Sequence, residues 1–149
     1  KLVCLCTFQW SLYPAAALFV TLEYPMIGWW IVVAAQTPEE RDDPAADRRA
    51  AILATWEIGL GGLDWLHTLV DAGKAEQSSF SGYPNRYTAK AGEVLPLLAD
   101  GPPPHRGMAV IGDDYVMPAN WKGNVAFHPE RIAACSADQM LTIDAWDLS

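Results

Sequence analysis

Asp113 and Asp114 follow Gly112 at the end of an apolar strand candidate. Adjacent carboxylates at such a place can serve general acid–base chemistry when a partner group is near. His128 is the partner that an enzymatic reading would use, and that reading is the least supported of three. Gly59-Leu60-Gly61-Gly62 follows a helical pattern rather than a strand, so it fits neither a dinucleotide turn nor a phosphate loop. No Gly-x-Ser-x-Gly elbow occurs. His67, His105 and His128 lack metal-ligand spacing, and Cys4, Cys6 and Cys135 are too few for a metal site or a disulfide framework. The expectation is a chain with no metal, no cofactor and no catalytic residues.

The residues then suit binding rather than turnover. Seven Trp stand in 149 residues, and the net charge is −8. Trp and Tyr beside acidic groups make a good anchor surface for a basic partner. The partner-binding candidates are Asp113, Asp114, Tyr115, Trp121, Asp144 and Trp146. Trp29, Trp56 and Trp65 fit core positions instead. The acidic balance argues against a generally basic nucleic-acid binder.

One segment favours a different function. Residues 62–99 read as a helix, a polar hairpin, then Tyr87-Thr88-Ala89-Lys90-Ala91-Gly92-Glu93 opening another helix. This resembles the end of a winged-helix module, with Thr88 and Lys90 matching the helix opening and Ala91 standing where the family usually has Gly. The resemblance covers about a quarter of the chain and implies a wing whose cations touch nucleic-acid phosphates. Lys74, Arg86 and Lys90 would carry those contacts. The helix before the hairpin carries Asp64 and Asp71 and lacks the residues that read base edges.

These residues must be positioned by a fold of modest size. Hydrophobic residues make up 51% and charged residues 19%, which excludes a disordered tail. The length suits one domain with a self-sufficient core. The expected class is α+β: a small mixed or antiparallel sheet with two or three helices. Residues 1–25 form an apolar segment, read as a strand or arm, a non-native leader, or a membrane or targeting segment. Residues 26–149 form the domain, with a possible sub-lobe break at 101–104.

Trp29–Ala35 reads as a buried central strand. Thr37, Pro38 and Glu40 spell a capping box, and Pro44 keeps that helix short. A second helix is expected from Asp43 through Ile58, because Ala45, Ile52, Leu53 and Trp56 recur at helical spacing. Leu63–Ala72 is a further helix, stopped by Gly73. Strands are expected at 108–111, 115–117, 124–127 and 141–146, the last with Leu141, Ile143 and Ala145 on one face and Thr142, Asp144 and Trp146 on the other. His128-Pro129-Glu130 reads as a helix start. The profile is that of a small acidic protein-binding module of inhibitor, immunity or anti-defence type. It is placed in the cytoplasm, off the membrane, with a homodimer as one expectation.

Overall fold

A computed structural model describes residues 28–105, 109–111 and 115–149. Asp113, Asp114 and the 1–25 segment lie outside the described residues. The chain forms a six-stranded antiparallel sheet with helices on both faces, an α+β fold. The strands are β1 (Trp29–Ala34), β2 (Ile52–Ile58), β3 (Ala75–Phe80), β4 (Asn85–Lys90), β7 (Lys122–Phe127) and β8 (Met140–Asp147). A separate pair, β5 (Ala109–Ile111) and β6 (Tyr115–Met117), forms a two-stranded sheet. The six-stranded order is β3-β4-β8-β1-β2-β7. The described residues form four α-helices: α1 (Pro38–Asp42), α2 (Asp64–Asp71), α3 (Ala91–Val94) and α4 (Pro129–Ala134).

The strand pattern explains the core. Directly opposite residues of antiparallel strands share a face, and successive residues alternate faces. Ile31 faces Trp56 and Ala145, and Val33 faces Ala54 and Ile143. All six of these are buried. Tyr87 extends the same face through its pairing with Ile143. Leu66 and Leu69 of α2, Val94 of α3 and Leu98 pack into this cluster. Burying each such side chain contributes about 1.5–3 kcal/mol. Trp56 stacks on Phe127 with centroids 6.0 Å apart and meets Trp65 at 6.2 Å.

Two local motifs form as the residues dictate. Thr37 Oγ1 accepts from the Glu40 amide, and Glu40 Oε2 accepts from the Thr37 amide, closing the capping box of α1. Gly73 takes φ +67 after α2, with its amide donating to Val70 and the Lys74 amide donating to Leu69. That is the two-bond helix stop which a left-handed residue permits.

The helix expected from Asp43 to Ile58 does not form. Asp43 Oδ1 accepts from the Ala45 amide and Asp47 Oδ1 from those of Arg49 and Ala50, so residues 43–51 are turns. Ile52–Ile58 is strand β2. The reason is tertiary. β1 needs a partner on its second edge, and Ala54, Trp56 and Ile58 place their side chains on the core face at period two. The helical spacing of Ile52, Leu53 and Trp56 is incidental beside that pairing. Among the described residues no helix is long and apolar enough to cross a membrane.

Candidate functional site

The face of the sheet opposite the core is covered at one end and open at the other. Val32, Ala34, Thr142 and Asp144 belong to it and are buried. The 36–51 connection, with α1, covers them. Thr142 Oγ1 donates to the Gln36 carbonyl at 2.7 Å. Arg41 Nε donates to Asp144 Oδ2 at 3.0 Å. From the neighbouring strand, Arg86 Nε donates to Asp144 Oδ1 at 2.6 Å and Nη2 to Oδ2 at 3.3 Å. Arg86 Nη1 also grips both oxygens of Asp42, at 2.7 and 2.9 Å. These bonds, those to Asp144 foremost, raise the Arg86 pKa above its ordinary value. The arginines therefore tie α1 to β4 and β8 through one buried carboxylate. Beside them a shallow cavity of about 420 Å³ is lined by Pro38, Asp42, Ser78, Ser79, Pro84 and Arg86.

The open end carries aromatics. Trp30 on β1 stands opposite Trp146 on β8 and opposite Glu57 on β2. Trp30 is 40% exposed, and Trp146 and Glu57 are half-buried. Glu57 in turn faces Gly123 on β7. The β2–β7 register shifts between Thr55 and Glu57, and Asn124 adopts φ +44 there. Such irregularities re-aim side chains. Asn124 Nδ2 consequently donates to Glu57 Oε1 at 2.7 Å. A Cβ placed on residue 123 would lie 2.5 Å from Glu57 Oε2 and 2.9 Å from Trp121 Cη2. The carboxylate and the indole thus pack directly on Gly123, closer than a Cβ would allow. Among the described residues no cation pairs with Glu57.

The expected binding residues divide between these two ends. Trp146, opposite Trp30, and Trp121, against Gly123 beside Glu57, both stand at the open end; Trp30 and Glu57 are not among the expected residues. The alternation of Trp29 and Trp30 in a strand carried the signal for Trp30, since one of two adjacent Trp must leave the core. Asp144 shares the sheet face but is 1% exposed and faces the two arginines rather than solvent. Tyr115 opens β6.

The three cations expected of a wing are each engaged. Lys74 Nζ is 2.7 Å from Glu93, Lys90 Nζ is 3.1 Å from Asp138, and Arg86 holds Asp42 and Asp144. The segment's order of helix, hairpin and helix is observed as α2, β3–β4 and α3. β4 pairs with β8 along its whole length, so the hairpin is built into the six-stranded sheet.

The histidines are dispersed. His67 Nε2 meets the hydroxyl of Tyr87 at 3.3 Å. His105 is 7% exposed, and burial lowers its pKa. His128 occupies the N-cap of α4, with Nδ1 3.8 Å from Glu130. Among the described residues no group of three His, Cys, Asp or Glu could hold a metal ion. No protein-family model, no curated protein and no solved structure matches the chain.

Proposed function

We propose that this is a small acidic, non-enzymatic protein-binding module of inhibitor, immunity or anti-defence type, which takes a basic protein on the open end of its sheet. The carrying observation is the cross-strand neighbourhood of Trp30, Trp146 and Glu57 on a face that α1 leaves uncovered. Tryptophan gives large contact area for little lost side-chain freedom and is enriched among binding hot spots. A net charge of −8 steers a basic surface toward the molecule. The face is edged by strand β7, whose Asn124, Val125 and Ala126 are exposed. Cys135 is a free, half-buried thiol whose pKa is raised by burial, so it is a weak nucleophile. The alternative, nucleic-acid binding through Lys74, Arg86 and Lys90, would require those cations to leave their carboxylates.

The test is affinity capture from a nuclease-treated lysate with the full chain and with the Trp30→Ala/Trp146→Ala variant, each checked for an unchanged circular dichroism spectrum. A basic protein retained by the parent and lost from the variant is the expected result. An identical set of captured proteins from both, or retention only of nuclease-sensitive material, overturns the proposal.

A further inference from the structure

We propose that Glu57 and Trp121, brought together over Gly123, form a receptor for a single arginine side chain of the partner. The inference rests on the reading of the open sheet end as a protein-binding face and specifies its chemistry.

Glu57 is an acid that the described fold does not neutralise. Its Oε1 is occupied by the amide of Asn124, and its Oε2 lies by the spot where a side chain at residue 123 would begin. Lys122, next in sequence to Gly123, pairs with Ile58 and so faces the other side of the sheet. Its ammonium donates to the Pro102 carbonyl at 2.9 Å. No cation among the described residues completes Glu57.

The neighbours of Glu57 select which cation. Trp121 packs against Gly123 beside Glu57 through the six-membered edge of its indole, and Trp30 stands across the strand from Glu57. A planar guanidinium can lie against an indole while its N–H groups point to a carboxylate. A lysine ammonium is a compact, strongly hydrated point charge and gains less from a flat aromatic wall. Asn124 orients the carboxylate from a left-handed backbone position that few residues other than Gly, Asn and Asp adopt readily. Gly123 lets the acid and the indole approach this closely, since a Cβ there would lie 2.5 Å from Glu57 Oε2 and 2.9 Å from Trp121 Cη2.

The full-length protein is titrated with Nα-acetylarginine amide while the Trp121 indole N–H is followed by NMR. The neutral citrulline and cationic lysine derivatives serve as comparisons. Saturable shifts with the arginine compound at millimolar concentration are expected, with binding at least about tenfold weaker for citrulline and clearly weaker for lysine. Glu57→Gln and Gly123→Ala should both abolish saturation. Gly123→Ala keeps both binding groups and displaces only the flexible ends of side chains, so loss of binding without loss of fold isolates the geometry. Absence of saturation in the parent protein, equal binding of citrulline or lysine, or unchanged binding by either variant overturns the site. A basic partner whose capture needs Trp30 and Trp146 but ignores Glu57→Gln would sink this receptor and leave the protein-binding function standing.

Discussion

Arg86 and Asp144 stand directly opposite each other on β4 and β8, and the guanidinium Nε lies 2.6 Å from the carboxylate. The pair is made inside the sheet, so the strand register itself places it. Arg41 then approaches the same carboxylate from α1, 103 residues away in the chain. A buried carboxylate shared by two arginines thus couples a five-residue helix to the sheet.

Removing that carboxylate should be costly. Asp144→Ala leaves Arg41 and Arg86 without their main partner in a buried place, which typically costs about 3–5 kcal/mol. Chemical denaturation should show a loss of this size. Arg41→Ala should cost less, because Arg86 still compensates Asp144. A loss below about 1 kcal/mol for Asp144→Ala would mean that the network contributes little.

Trp56 should anchor the other face. It is fully buried, stacked on Phe127 and tilted against Trp65. Trp56→Ala should cost about 3–5 kcal/mol by leaving a large cavity. Trp30→Ala, on the open face, should stay within about 1 kcal/mol of the parent. Comparing the two melting curves checks both expectations.

Gly73 provides a purely conformational test. Its φ is +67 and a Cβ there meets nothing within 4 Å. Gly73→Ala should therefore destabilise by about 1 kcal/mol through backbone strain alone. Gly73→Asn should recover part of that loss, since Asn tolerates the left-handed region better. Equal stability of all three proteins would refute the assignment.

Acid should weaken the fold through His105. Its folded pKa is depressed by burial below the ordinary 6.5. The unfolded chain therefore binds the proton first as pH falls below that value, and stability declines toward the folded pKa. The contribution is intact above about pH 7. His105→Gln should flatten the decline in melting temperature between about pH 7 and pH 5. A slope identical to the parent's would show that other groups control that window.

Much of the frame is legible from local residue chemistry. The capping box needs only Thr37, Pro38 and Glu40, because all its bonds lie within one turn. The stop at Gly73 is likewise local. The alternation of Leu141, Ile143 and Ala145 marks the core face of β8, and all three are buried there. The other face, with Thr142 and Asp144, is buried too, which its polar residues conceal. Their partners, the Gln36 carbonyl and Arg41, come from more than a hundred residues away.

Segment 52–58 shows where local reading ends. Ile52, Leu53 and Trp56 satisfy a helical period, while Ala54, Trp56 and Ile58 satisfy a strand period. Only the free edge of β1 decides between them. The candidate site depends still more on that decision. Glu57 meets Trp30, Gly123, Asn124 and Trp121 because β2 lies between β1 and β7 with an irregular register. The sequence by itself determined a tryptophan-rich acidic α+β domain with defined helix stops. Tertiary structure alone decided which acid is saturated and which is open, because hydrogen-bond partners distant in the chain are chosen by strand order and register.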